Sequence, residues 1–112
     1  MHTVVETPSY LTRAEPVLNE ATMKAIVDAV AENPEAGEVM SGTGGFRKLR
    51  AARPGMGKRG GVRVIYLYRN LSMPVFLITV YAKNEKANLT AAERNALKAR
   101  ADAIFAEYGV GR

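Results

Sequence analysis

Nine cations, Arg47, Lys48, Arg50, Arg53, Lys58, Arg59, Arg63, Arg69 and Lys83, fall between residues 39 and 84, a window that holds no aspartate or glutamate. All eleven acids lie at or before Glu38 or at or after Glu85. The rest of the chain sets seven cations against those eleven acids, so a segment of charge +9 is flanked by segments summing to −4. Nine like charges on a bare surface repel one another, so the separation reads as a polyanion-binding face on an otherwise acidic body.

The chemistry open to such a set is narrow. If the polyanion is RNA, cutting it through its own 2′-hydroxyl needs a base for that hydroxyl, charge stabilisation for the phosphorane and an acid for the departing 5′-oxygen. A histidine pair is excluded, because His2 is the one histidine, and no cysteine is present to act as nucleophile, metal ligand or disulfide partner. Metal-assisted cleavage calls on carboxylates to hold Mg²⁺. The basic window offers none, so no metal and no cofactor is expected.

Lysine, arginine and tyrosine remain. Arg47, Arg50 and Arg63 suit bidentate clamping of phosphate oxygens and are poor bases. Neighbouring like charges disfavour the ammonium form of a lysine, which makes Lys48 the expected base, with Lys83 or Lys58 as second choice. Tyr81, two residues from Lys83, shares its strand face and is placed to stack on a base or pass a proton. Arg53, Lys58, Arg59 and Arg69 complete the expected RNA-binding surface. None of these groups is an ordinary acid–base catalyst at neutral pH, so the RNA must be pre-oriented, an effect that contributes roughly 7 to 11 kcal/mol to lowering a barrier. A partner that holds the substrate is therefore expected.

The elements that must position these residues can be read from pattern. The 112 residues suffice for one domain spanning 1–112, and 47% apolar with 24% charged residues is an ordinary globular composition. Residues 3 to 6 form a short first strand, and Thr7-Pro8 starts a brief helix that Pro16 stops. A second helix runs from Asn19, with Met23, Ile26, Val27 and Val30 on one face, to Asn33-Pro34. Residues 35 to 45 read as loop, and Gly42 to Gly45 as a turn rather than a phosphate loop, since no Gly-Lys-Ser/Thr ending follows.

Strands are expected near 46 to 52, 62 to 69 and 75 to 83, the last two as an antiparallel hairpin, with a Gly-rich loop at 53 to 61. Tyr66 and Tyr68 lie within an apolar strand and are expected to pack there. Thr90 with Glu93 forms a capping box that opens a final helix to about Tyr108. The fold class is α+β, in the order β-α-α-β-β-β-α, with a small antiparallel, mixed-edge sheet of about four strands and the helices on one face. His2 is expected to be a flexible terminal residue. Neither an export signal nor a membrane anchor is expected at the N-terminus, and the lack of cysteine suits a reducing cytoplasm.

Four ordered runs, Asn33-Pro34-Glu35-Ala36-Gly37-Glu38-Val39, Gly42-Thr43-Gly44-Gly45-Phe46-Arg47-Lys48-Leu49-Arg50, Gly57-Lys58-Arg59-Gly60-Gly61-Val62-Arg63-Val64-Ile65-Tyr66 and Val80-Tyr81-Ala82-Lys83-Asn84-Glu85, together resemble the RelE/HigB family of toxins, closest to its HigB-like branch. The resemblance implies the same order of elements and ribosome-dependent endoribonuclease cleavage of mRNA in the decoding site. It also implies a cognate antitoxin with a helix-turn-helix part, operator DNA being met only through the antitoxin complex, and the final helix is a candidate to receive that antitoxin.

By the same resemblance Arg47, Lys48 and Arg50 are phosphate- and catalysis-facing cations, Arg63 is the transition-state arginine and Lys83 another functional cation. Relatives that use a histidine or a C-terminal tyrosine differ from this chain, which has only His2 and Tyr108 for those parts. Two other functions fit the same features. One is a ParE-like poison of DNA gyrase with the same fold, which the cation-rich first strand and glycine loop disfavour. The other is a non-catalytic nucleic-acid-binding module.

Overall fold

The computed structural model describes residues 2–53, 61–83, 85 and 88–108. Strand β1 (Val4–Glu6) leads directly into helix α1 (Pro8–Ala14). Thr7 makes the junction: its hydroxyl donates to the Leu77 carbonyl at 2.7 Å and accepts from the Tyr10 amide at 3.3 Å, while Pro8 occupies the first helical turn, where no donor is missed. Helix α2 (Glu20–Glu32) is capped by Asn19, whose side chain accepts from the Thr22 amide at 2.7 Å. It ends before Asn33-Pro34, as the sequence predicts.

Four further strands follow: β2 (Glu38–Val39), β3 (Phe46–Ala51), β4 (Val62–Leu67) and β5 (Val75–Ala82). Helix α3 (Ala91–Glu107) closes the chain. Its capping box is formed in both directions, Glu93 amide to Thr90 hydroxyl at 3.1 Å and Thr90 amide to Glu93 carboxylate at 2.8 Å. The sheet order is β1-β5-β4-β3-β2, with β1 parallel to β5 and every other pairing antiparallel. The mixed edge expected from sequence is therefore β1. β2 adds a fifth strand inside the expected 35–45 loop, being too short for alternation to announce.

The expectation of helices on one face is corrected. Val62, Val64, Ile65, Tyr66 and Leu67 of β4 are all buried, so both faces of the central strand need cover. Val62, Val64 and Tyr66 pack with Tyr10, Ala14, Ile26 and Val30 of α1 and α2. Ile65 and Leu67 pack on the other face with Phe46, Phe76 and with Leu97, Ala101 and Phe105 of α3. One irregularity interrupts the hairpin: Ile65 pairs with Thr79 while Tyr66 pairs with Leu77, leaving Ile78 as an extra residue in β5.

His2 is also corrected. Its amide donates to the Ala31 carbonyl at 2.9 Å and its ring meets Tyr68 edge-on at 5.7 Å, so the N-terminus is tied to the end of α2. Gly42 to Gly45 form the expected turn. Thr43, fully buried within it, donates to the Met40 carbonyl at 2.6 Å and accepts from the Phe46 amide at 3.2 Å, which starts β3 at a fixed point.

Candidate active site

Alternation along β3 and pairing across the sheet sort the cations. Arg50 pairs with Arg63, which pairs with Tyr81, so the three form one row across β3, β4 and β5 on the face that carries α3. The next row on that face runs Glu38, Lys48, Ile65, Thr79. Successive same-face positions on a strand are roughly 7 Å apart, so Lys48 and Arg50 stand side by side. Lys48 and Arg63 are half-buried and Arg50 is exposed. The Arg63 guanidinium has a long contact of 3.4 Å to the Val62 carbonyl.

The buried residues of α3 share one core with Phe46, Leu67 and Phe76 and also with Ile65, Ile78 and Tyr81. Lys83 is exposed just past β5, its amide donating to the Gly61 carbonyl at 3.0 Å, and so lies at the same end of the sheet as the two arginines. Arg53 is half-buried two residues beyond β3, also at that end. Lys58 and Arg59 fall outside the described residues.

Two cations of the basic window are set apart. Arg47, one residue out of step with Lys48, faces the α1–α2 side. There its guanidinium donates to the Gly37 carbonyl at 2.9 Å and the Glu35 carbonyl at 3.2 Å, with the Glu35 carboxylate 3.8 Å away. Arg69 lies roughly 20 Å along the chain direction from Arg63. It is exposed with its guanidinium carbon 4.8 Å from the centre of the Phe105 ring, a cation–π contact with α3. Tyr81 shares the arginine row, yet it is only 3% exposed and its ring belongs to the core under α3.

The acid-free window does not give an acid-free face. Glu38, the residue just outside it in sequence, stands directly across from Lys48 because β2 pairs with β3. The premise that Lys48 has only cations for neighbours therefore fails on that side. Sequence reading passes over Glu38 because two residues of strand leave no periodic trace; the Pro34 stop and the Gly37 that follows it are the available signals.

The segment before Glu38 is held by buried bonds. Tyr66 donates from its hydroxyl to the Pro34 carbonyl at 2.7 Å and accepts from the Gly37 amide at 2.8 Å. Burial raises the Tyr66 hydroxyl above its ordinary value, with Glu35 adding to this and the Gly37 amide and Arg47 opposing it. A Cβ on Gly37 would come within 2.8 Å of the Tyr66 ring and hydroxyl and 3.1 Å of the Lys48 carbonyl oxygen. Only glycine lets the chain pass there. Among the described residues, no three His, Cys, Asp or Glu side chains are gathered as metal ligands would be, and no helix is long and apolar enough to cross a membrane.

A family model described as the RelE toxin of the RelE/RelB toxin–antitoxin system matches residues 10–108. The match takes in α1 from Tyr10 onward and every later helix and strand, and with them both rows of the candidate site. Apart from the added strand β2, the order of elements agrees with the one that the four sequence runs imply. The chain belongs to the RelE family and is a toxin of a toxin–antitoxin system.

Proposed function

We propose that this toxin is a ribosome-dependent mRNA endoribonuclease of the HigB-like branch, cutting RNA by attack of its own 2′-hydroxyl without a metal ion. The observation that carries the reading is the in-register pair Arg50–Arg63 on one sheet face with Lys48 beside it. Two guanidiniums a strand apart are spaced to grip the oxygens of one phosphate as charge builds on it, a kind of contact whose loss costs about 10² to 10³ in rate. Lys48 handles a proton beside that clamp, with Lys83 and Lys58 as alternatives. Arg53 and Arg59 extend the contact to RNA or ribosome, and Arg47 and Arg69 act at a distance from the chemistry.

Such a site orients phosphate better than it moves protons, which supports a requirement for the ribosome to hold the message. The partner that silences it is an antitoxin with a helix-turn-helix part, through which alone the pair meets operator DNA, and the site of action is the cytoplasm. After induced expression, primer extension on mRNA is expected to show new ends in codon register. Purified toxin is expected to cut ribosome-bound mRNA and to leave free RNA largely intact. Arg63→Ala is expected to lose growth arrest while melting as a folded protein. Stabilised DNA breaks without new mRNA ends would replace this reading with gyrase poisoning, and unaltered translation with a binding-only role.

A further inference from the structure

Why the protein clamps residues 34–37 so firmly is not answered by phosphate binding. Arg47, although it sits within the basic window, turns its guanidinium away from the candidate site and onto the Glu35 and Gly37 carbonyls. Tyr66, in the middle of the central strand, uses its hydroxyl on Pro34 and Gly37. Gly37 lies so close to the Tyr66 ring that no side chain fits. These contacts share one result. The residue that follows, Glu38, is delivered to the sheet in register with Lys48, on the same face and one row from Arg50 and Arg63.

We propose that Glu38 and Lys48 are the proton acceptor and proton donor of the cleavage, with Arg47 and Tyr66 as the positioning residues that hold Glu38 in place. The proposal rests on the nuclease reading above. Directly paired residues of an antiparallel ladder have Cβ atoms about 5 Å apart. Side chains as long as Glu and Lys can therefore diverge to the two sides of a phosphate held by the arginines. In this step the 2′-oxygen attacks phosphorus, so that the O2′–P bond forms while the P–O5′ bond breaks. The hydroxyl proton passes to the Glu38 carboxylate, and the departing 5′-oxygen takes a proton from the Lys48 ammonium. The products are a 2′,3′-cyclic phosphate and a 5′-hydroxyl. Transfer of the proton from Glu38 to the Lys48 amine, directly or through water, restores both groups. A carboxylate that accepts and an ammonium that donates remove the need for a lysine that starts out neutral.

The test uses single-turnover cleavage of mRNA on programmed ribosomes, with a normal message and with one whose scissile 5′-oxygen is replaced by sulfur. A thiolate leaves without needing a proton, so the sulfur substrate bypasses the donor and leaves the acceptor's role intact. Glu38→Gln is expected to slow both substrates by about 100-fold or more, with ribosome binding unchanged. Lys48→Ala is expected to slow the normal message comparably and to recover to within about 10-fold of the unsubstituted protein on the sulfur message. Tyr66→Phe is expected to lower the rate on both without changing the ratio between them. Glu38→Gln cutting at the unsubstituted rate, or rescued by sulfur, overturns the assignment while leaving the nuclease reading standing. Failure of the unsubstituted toxin to cut ribosome-bound mRNA at all overturns the nuclease reading itself and the assignment with it.

Discussion

Tyr10 shows how one side chain fixes a response of the protein to pH. It is fully buried between α1 and the sheet, and its hydroxyl has no hydrogen-bond partner among the described residues. Burial, reinforced by Glu6, pushes it up to about 12 from an ordinary value of 10. The unfolded chain then gives up this proton at lower pH than the folded one. The stabilisation is complete below pH 10 and drains away as pH rises toward 12, with Tyr66, raised in the same direction, contributing to the same alkaline limb. Melting temperature measured from pH 8 to 12 is expected to fall less steeply for Tyr10→Phe. At pH 7 that variant is expected to be as stable as the unsubstituted protein or up to about 1 kcal/mol more stable, because an unpaired buried hydroxyl is removed. A steeper alkaline loss in the variant would contradict this.

At the scale of elements, the bracket around β2 separates two kinds of residue that look alike in sequence. Tyr66→Phe leaves the Gly37 amide and the Pro34 carbonyl buried without their partner and is expected to cost about 1 to 3 kcal/mol in a denaturant titration. Gly37→Ala forces its new Cβ into the Tyr66 ring and is expected to cost about as much, chiefly as strain. If the two losses are coupled through one contact, the double variant falls short of their sum. The caps at Thr7 and Thr90 were legible because each is a local bond between side chain and backbone, and Asn19, expected only as the start of a helix, caps α2 in the same way. β2 was not legible, because it is made by Tyr66 and Arg47 reaching across from positions 29 and 10 residues distant. The second helical layer was missed for a related reason: a strand such as β4, apolar on both faces from Val64 to Leu67, says that both faces are covered but not by what.

For the molecule as a whole, the +9 segment divides once it is folded. Lys48, Arg50, Arg63 and Lys83 share one end of the α3 face, Arg47 serves the opposite face, and Arg69 lies at the far end against Phe105. Net charge leads to the expectation of a polyanion-binding surface, and the period of two along β3 decides which cations stand together on one face. The salt dependence of ribosome or RNA binding should read this division. Arg50→Ala and Arg63→Ala are each expected to reduce the magnitude of the log affinity against log salt slope by about 0.7, the value for one single-strand phosphate contact. Arg69→Ala is expected to leave the slope unchanged. Equal slopes for all three would mean that the charge acts as a diffuse cloud instead of a row.

The surplus residue in β5 has a consequence for any attempt to shorten or extend this chain. Counting by twos from Val75 and Leu77, which face α1 and α2, would assign Tyr81 to that same side; because Ile78 is skipped, Val80 takes that side and Tyr81 lands opposite Arg63. Excising Ile78 would thus straighten the ladder without exchanging inside for outside beyond it. Excising Val64 from β4 would instead exchange the faces of the residues that follow it relative to Arg63. The hairpin carries slack at one position, and length variation is tolerable there on geometric grounds alone.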